Sequence, residues 1–180
     1  MADLLIDFMK IYIIRHTAVG VNGVCYGQTD VPLKETFESE AEIVKQNLKD
    51  IAFDAVFSSP LSRAKKLAEY CGYENIRLKD RLKELNFGEW EMQEWDKIDM
   101  TEWEKDWINT PAPNGESFAQ MYKRIASFLD ELKGQDHSTV AVFAHGGVIN
   151  CFKVYFGKTD LAGAFDDLSE YGQISEFELI

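Results

Sequence analysis

The chain has 180 residues, of which 46% are hydrophobic and 28% are charged, a composition typical of one globular domain with a sizeable core. Its formal net charge of −12 repels polyanions and no dense basic cluster offsets it, so nucleic acid is not an expected partner. Three widely spaced cysteines favour free thiols, and no apolar stretch reaches membrane-spanning length, so we expect a cytoplasmic protein without a membrane partner.

The N-terminal segment 1–8 carries two aspartates and no basic leader, and Met9 directly precedes the first predicted strand. This segment is either an extension outside the core fold or an over-called start, and the sequence leaves both readings open. The sequence carries no signal of oligomeric state. Because it shows no internal repeat and no interdomain linker, we expect a single domain over residues 1–180.

Apolar runs and helical spacing predict strands that alternate with helices. The predicted strands are 10–15, 54–57, 76–78, 139–144 and one within 172–179. The predicted helices are 34–50, 60–71 with Pro60 in its first turn, 116–133 and 147–156. A polar loop spans 17–32, and an acidic segment rich in tryptophan spans 89–110. This order predicts an α/β fold, a three-layer α/β/α sandwich with a mostly parallel central sheet.

Two of the three histidines directly follow buried strands. Arg15 and His16 end the first strand, and His145 follows the strand 139–144 and precedes two glycines. The carboxyl ends of parallel strands meet at one edge of a sheet, where α/β enzymes hold their chemistry. Either histidine alone could be an ordinary core or surface residue, but the pair favours a functional site. His137 lies in a polar stretch and is interpreted as a solvated loop residue.

The residues expected to converge at this edge are Arg15, His16, Asn22, Arg63, Glu84 and His145. Two guanidiniums, two imidazoles and a carboxyl group suit phosphoryl transfer to histidine. The arginines would bind phosphate and keep His16 unprotonated for attack on phosphorus. Glu84 would protonate the leaving alkoxide, and His145, beside the helix-opening Gly146, would hold another phosphate oxygen.

Several of these residues also have an ordinary structural interpretation. Arg63 could be a surface cation of an amphipathic helix, and Glu84 could be a solvated carboxylate. Trp103 and Trp107 fall at helical spacing, which favours a core stripe over a ligand cage.

On these motifs the chain resembles the histidine phosphatase superfamily, with its phosphoglycerate mutase-like fold, over residues 10–180. The matching segments are Arg15-His16 with Asn22, Ser59 to Ala64, Glu84 to Glu91, and His145-Gly146-Gly147. The resemblance implies that His16 becomes a phosphohistidine, that Arg15, Arg63 and His145 bind phosphate, and that Glu84 donates a proton. It also implies substrate binding by Asn22, Gln28 and Gly146, with no metal or other cofactor.

Residues 26–33 and 113–117 are similar to the α-ribazole phosphatase branch of cobalamin assembly. The expected partner is therefore a small-molecule phosphate ester such as α-ribazole 5′-phosphate, with Tyr26, Trp90 and Trp95 either stacking on its flat ring or packing in the core. Two alternatives stay open. A phosphoglycerate mutase-type phosphotransferase is disfavoured because the chain lacks long insertions.

The second alternative is a phosphate-ligand binding module without turnover. It is prompted by Thr17, where the family usually has glycine, and by Val19, where it usually has a polar residue. Phe37 also replaces a common glycine. Every proposed catalytic group is nevertheless present.

Overall fold

One five-stranded sheet forms the centre of the molecule, as the computed structural model of residues 8–180 shows. The strands are β1 (Met9–Arg15), β2 (Ala55–Ser58), β3 (Ile76–Leu78), β4 (Thr139–Ala144) and β5 (Ile174–Leu179). Their order across the sheet is β3-β2-β4-β1-β5, and all neighbours are parallel except β5, which runs antiparallel to β1. The predicted, mostly parallel sheet is confirmed. Whether residues 1–8 are an extension lies largely outside the described residues.

Helices cover both faces of this sheet. They are α1 (Phe37–Leu48), α2 (Ser62–Tyr70), α3 (Thr101–Lys105), α4 (Phe118–Lys133) and α5 (Gly146–Tyr155). Successive strand residues point to opposite faces, so Ile11 and Ile13 of β1 join the core beneath α4 and α5. Tyr12 and Ile14 join a second core beneath α1 and α2. These two cores confirm the predicted three-layer sandwich.

The helix starts differ from the prediction where turns replace the first helical residues. The first helix begins at Phe37, because residues 34–36 form a turn in which the Phe37 amide donates to the Lys34 carbonyl at 3.0 Å. Pro60 lies before α2 and not in its first turn. Leu61 is extended there, and its amide donates to Ser59 Oγ at 3.2 Å, which delays the helix to Ser62.

The start of α4 shows a reciprocal capping box. Ser117 Oγ accepts from the Gln120 amide at 3.2 Å, and the Gln120 side chain accepts from the Ser117 amide at 2.8 Å. The predicted helix 116–133 therefore begins at Phe118. Across residues 8–180, no helix combines the length and the apolar character that a membrane span requires.

Trp103 and Trp107 do not share a helix. The short helix α3 ends at Lys105, so the predicted helical spacing is wrong, but Trp107 and Trp103 both pack against buried clusters, as their predicted core role requires. The two rings still lie 6.3 Å apart between centroids, because the chain turns back after the helix. Trp107 then packs against Phe118 of α4 with centroids 5.5 Å apart.

Candidate active site

The carboxyl ends of β1, β2 and β4 lie side by side, since β4 pairs with both other strands. The amide of His16, just after β1, donates to the Ala144 carbonyl at 3.1 Å. The amide of Ser59, just after β2, donates to the Phe143 carbonyl at 2.9 Å. His145 follows β4, and its ring centroid lies 5.2 Å from that of His16. The predicted meeting of the two histidines is confirmed.

His16 is buried and its ring is fixed by one backbone contact. Its Nδ1 lies 2.7 Å from the Thr17 carbonyl. A carbonyl oxygen only accepts, so Nδ1 carries the proton and Nε2 keeps its lone pair. Burial lowers the pKa of His16 to about 3, with smaller contributions from the positive charges of Arg63 and Arg15. The imidazole is neutral as predicted, but desolvation is a larger cause than the arginines.

Arg63 is fully buried in the first turn of α2, so its interpretation as a surface cation is wrong. Its Nη1 donates to the Thr29 carbonyl at 3.0 Å, and its Nη2 donates to the Gly27 carbonyl. The loop 17–32 therefore folds over this guanidinium. Because both acceptors are neutral, the charge of Arg63 has no hydrogen-bonded carboxylate among the described residues.

Arg15 is held by the C-terminal part of the chain. Its Nη1 donates to the Ser169 carbonyl, and its Cζ lies 4.2 Å from the ring centroid of Tyr171. A Cβ added to Gly146 would lie 3.4 Å from both Cζ and Nε of Arg15. The guanidinium is thus sandwiched between an aromatic ring and the start of α5.

His145 is the N-cap of α5 and is fully buried. Its Nε2 lies 2.8 Å from Ser59 Oγ, which also accepts from the Leu61 amide. The hydroxyl hydrogen of Ser59 can therefore be donated to Nε2, which leaves the proton of neutral His145 on Nδ1. Burial lowers the pKa of His145 well below its usual range, and the charge on Arg63 adds to this effect.

Glu84 is half-buried between its own loop and the start of α5. Its Oε1 accepts from the Leu85 amide at 3.0 Å, and its Oε2 accepts from the Gly147 amide at 3.1 Å. A Cβ at position 147 would lie 2.3 Å from Oε1, so only glycine allows this approach. The interpretation of Glu84 as a freely solvated carboxylate is wrong.

The loop that carries Glu84 is fixed by Arg124 of α4. Arg124 donates to the carbonyls of Arg81, Lys83 and Glu84 at 2.6, 2.7 and 3.0 Å. It also forms an ion pair with Glu116. Arg124 is a positioning residue that the sequence did not indicate, because nothing in an amphipathic helix pattern distinguishes it from a surface cation.

Five buried polar atoms of the site have no hydrogen-bond partner among residues 8–180. They are Arg15 Nε, Thr17 Oγ1, Arg63 Nε, His145 Nδ1 and Ser169 Oγ. Buried polar groups are normally hydrogen-bonded, so unpaired ones need an explanation. All five can donate a hydrogen bond, and two of them belong to cationic groups. The arrangement fits an anion with several acceptor oxygens, such as phosphate.

The predicted substrate-binding residues lie in different environments. Gly146 borders Arg15, as described above. Gln28 Nε2 donates to the Glu84 carbonyl at 3.1 Å, so Gln28 joins the loop of the carboxyl group. Asn22 is exposed, and no hydrogen bond of the described residues joins it to the histidines or arginines.

Thr17, Val19 and Phe37, which depart from the family pattern, each have a defined contact in the fold. Thr17 contacts His16 through its backbone carbonyl, an interaction open to any residue type. Val19 is buried and forms a bridge with Leu33. Phe37 packs against Tyr70 of α2 with centroids 5.7 Å apart.

The remaining sequence predictions concern Trp90, Trp95 and His137, and each has its own outcome. Trp90 belongs to a small core with Cys25, which confirms its structural interpretation. Trp95 is 37% exposed. His137 is half-buried in the loop before β4, with Nε2 3.3 Å from Arg77 Nη1, so it is only partly solvated.

The site also contains Tyr171, which no sequence motif indicated. Its ring centroid lies 5.6 Å from that of His16, and its hydroxyl lies 3.0 Å from the Tyr26 hydroxyl. The Tyr26 ring in turn lies 5.3 Å from Cζ of Arg63. The two tyrosines are therefore hydrogen-bonded to each other, with Tyr171 beside Arg15 and Tyr26 beside Arg63. Tyr171 follows no strand and belongs to no motif, so no sequence signal identified it.

Comparison with known proteins identifies the family to which this chain belongs. The model of the histidine phosphatase superfamily (branch 1) matches residues 11–179. The adenosylcobalamin/alpha-ribazole phosphatase of Escherichia coli strain K12 is 27% identical over 154 residues, which are 79% of this chain and 76% of that protein. Phosphoserine phosphatase 1 of Hydrogenobacter thermophilus is 30% identical over 150 residues, covering 76% of this chain and 71% of that protein.

Solved structures share the same architecture. The alpha-ribazole phosphatase from Shigella flexneri has a TM-score of 0.84 at 24% identity, covering 93% of this chain and 89% of that one, a likeness that shows the fold alone. The phosphoglycerate mutase from Thermus thermophilus has a TM-score of 0.75 at 28% identity, with coverages of 93% and 92%. The predicted phosphoglycerate mutase-like fold is confirmed.

Proposed function

Because the chain belongs to the histidine phosphatase superfamily, we propose that it hydrolyses a phosphate monoester through a phosphohistidine at His16. The observation that carries this proposal is the state of His16. Its Nδ1 is bound to the Thr17 carbonyl, and its pKa is about 3. The neutral ring therefore offers the Nε2 lone pair as a nucleophile at any ordinary pH.

In the first step, His16 Nε2 attacks phosphorus. The P–N bond forms as the bond from phosphorus to the ester oxygen breaks. Arg15, Arg63 and His145 Nδ1 hold the phosphoryl oxygens, whose charge is stabilised by donors that are already in place. This is the role that the unpaired atoms of the site support.

Glu84 transfers a proton in both steps, as an acid in the first and as a base in the second. Each of its oxygens accepts one backbone amide and keeps another lone pair that can hold a proton. The protonated carboxyl group donates to the departing alkoxide. The resulting carboxylate then takes a proton from water, whose oxygen attacks phosphorus as the P–N bond breaks and inorganic phosphate forms.

For the substrate, we propose α-ribazole 5′-phosphate. Its support is the E. coli relative named adenosylcobalamin/alpha-ribazole phosphatase, at 27% identity. A cytoplasmic location belongs to the same proposal and is supported by the three free thiols, Cys25, Cys71 and Cys151.

Two alternatives make different predictions. A mutase, supported by the Thermus thermophilus neighbour, would exchange phosphate between positions of one sugar acid and depend on a bisphosphate primer. A binding module would retain the phosphate ligand without releasing phosphate.

The test is phosphate release from α-ribazole 5′-phosphate and a panel of other monoesters, with a chelator present. His16→Ala should abolish release. His137→Ala is the matched control, because His137 lies in the loop before β4, away from the site, and should leave release unchanged. An acid-labile, alkali-stable phosphoenzyme should form in the wild type and not in His16→Ala.

The outcomes distinguish the phosphatase, the mutase and the binding module. Full activity of His16→Ala would exclude the phosphohistidine mechanism. Primer-dependent exchange without net phosphate release would establish the mutase. Tight binding of phosphate esters without release or exchange would establish the binding module.

A further inference from the structure

A cavity of about 380 Å³ lies between the tryptophan-rich segment and the irregular segment that follows α5. We call it the aromatic cavity. None of the histidines or arginines of the candidate active site lines it, so it is a separate feature of the molecule. Its lining contains six aromatic rings, those of Phe87, Trp95, Trp103, Trp107, Phe118 and Phe165.

The rings of the aromatic cavity stand at angles to one another. Trp107, Phe118 and Phe165 contact each other in pairs, with interplanar angles of 43°, 59° and 76° and centroids 5.0–5.5 Å apart. Phe87 and Trp95 meet edge to face at 5.4 Å. Tilted rings enclose a space that parallel stacked rings would fill, so the cavity is formed before any ligand binds.

A carboxylate lies at the rim of the aromatic cavity. Asp166 is exposed and is the one charged residue in the lining that the structure describes. Within residues 8–180, no lysine or arginine forms an ion pair with it. The neighbouring Asp167 pairs with Lys153 at 3.1 Å. The free charge of Asp166 attracts a cation, and the net charge of −12 adds to that attraction.

The hydrogen-bonding capacity of the lining selects the kind of cation. Apart from Asp166, the lining side chains are phenylalanine, leucine, alanine and tryptophan, none of which accepts a conventional hydrogen bond. A primary ammonium group brings three N–H donors, and one carboxylate cannot replace the hydration of all three. A quaternary ammonium group has no N–H to satisfy. Its charge is attracted by the electron-rich faces of aromatic rings.

We propose that the aromatic cavity binds a small-molecule quaternary ammonium cation, with the rings around its methyl groups and Asp166 as its counter-ion. The volume also leaves room for the chain that carries the ammonium group. This site is additional to the proposed phosphate site, shares no residue with it, and does not depend on phosphatase activity.

The first test compares three probes of similar size. Choline carries the quaternary ammonium group, 3,3-dimethyl-1-butanol has the same shape without the charge, and ethanolamine has the charge without the methyl groups. Tryptophan fluorescence is the readout, because three of the four tryptophans line the cavity. At constant ionic strength, choline should bind roughly tenfold more tightly than either of the other probes.

Each other result of this comparison would overturn the proposal. Equal affinity for choline and the neutral alcohol would make the cavity a merely apolar site. Equal affinity for choline and ethanolamine would assign the binding to Asp166 alone. The absence of a saturable response to choline would exclude a cation site altogether.

Two variants test the two parts of the proposed site. Phe165→Leu keeps an apolar side chain but removes a ring, and Asp166→Asn removes the carboxylate. Each should weaken choline binding by roughly 3- to 10-fold and leave the neutral alcohol within about twofold. Asp167→Asn is the matched control, because it removes the same charge from a residue outside the lining and should leave choline affinity unchanged. Equal losses in Asp166→Asn and Asp167→Asn would overturn the role of Asp166.

His16→Ala separates this inference from the proposed function. Choline should bind this variant with wild-type affinity, because His16 does not line the aromatic cavity. Loss of choline binding in His16→Ala would place the cation in the candidate active site and overturn a separate site. Intact choline binding in a wild-type protein that releases no phosphate would instead remove the proposed function and keep the cation site.

Discussion

The phenol ring of Tyr171 lies over the guanidinium of Arg15, with 4.2 Å between the ring centroid and Cζ. These residues come from opposite ends of the chain. Arg15 Nε, beside Gly146, has no hydrogen-bond partner within the described part of the chain. A stacked aromatic ring restricts the guanidinium without using its donors. Tyr171 therefore orients Arg15, one of the two arginines that we propose to bind phosphate.

This relationship predicts a difference between two substitutions of Tyr171. Tyr171→Ala should lower kcat/KM by about 2- to 30-fold, since a cation–π contact contributes about 0.5–2 kcal/mol. Tyr171→Phe keeps the ring and should stay within about twofold of the wild type. Steady-state kinetics on one ester checks both. An equal loss in the two variants would assign the effect to the hydroxyl bridge with Tyr26 instead.

The burial of His16 predicts acid lability. Its pKa is about 3 in the folded protein, below the usual value near 6.5 in an unfolded chain. Between these values the unfolded chain binds a proton that the native state does not. The free energy of unfolding should thus fall as pH decreases through this window, by roughly 1.4 kcal/mol per pH unit from His16 alone. Urea unfolding at several pH values measures this slope.

The matched variant for this measurement is His16→Gln, which removes the titrating group. Its slope should be shallower than that of the wild type, although buried His145 still contributes, because its pKa is also lowered. Identical slopes in the two proteins would show that His16 does not stay neutral in the native state.

The position of Glu84 predicts a dependence on the leaving group. Glu84→Gln should lower kcat/KM, which reports the first step alone, by roughly 10²–10⁴-fold for an alkyl phosphate, whose alkoxide needs a proton. The loss should be far smaller for 4-nitrophenyl phosphate, because nitrophenolate leaves without one. Glu89→Gln serves as control, since Glu89 is exposed and bonded to Asn114. Equal losses on both esters would exclude Glu84 as the proton donor.

The buried charge of Arg63 predicts that phosphate binding raises the thermal stability of the protein. Inorganic phosphate should raise the Tm of the wild type, because it binds the folded state and pairs a buried guanidinium. In Arg63→Lys this increase should largely disappear, and kcat/KM should fall by roughly 10²–10³-fold. Thermal unfolding with and without phosphate provides the measurement. Arg77→Lys, a substitution at a strand residue far from His16, should keep the full increase.

The sequence predicted those parts of the site that follow from sheet topology. His16 and His145 each end a buried strand, and parallel strands bring such ends together whatever their separation in the chain. The burial of Arg63 was less apparent, because an arginine in an amphipathic helix is usually exposed. Its position depends on the loop 17–32 folding back so that two carbonyls face it, and this fold has no periodic signal.

The C-terminal wall of the site could not be predicted. Ser169 and Tyr171 lie in an irregular segment, and their contact with Arg15 depends on β5 running antiparallel to β1. The pattern of residues 174–179 indicates a strand but carries no information about direction or partner. Likewise, the three carbonyls held by Arg124 belong to a loop whose course only the folded chain defines.

The position of β1 has a consequence for protein synthesis. Among the described strands β1 leaves the ribosome first, yet both of its sheet partners, β4 and β5, lie within residues 139–179. A nascent fragment that stops short of Thr139 exposes an apolar strand with two unpaired edges, which is a risk for aggregation. We expect the growing chain to need shielding until β4 emerges, and the candidate site to form only after β5 has emerged.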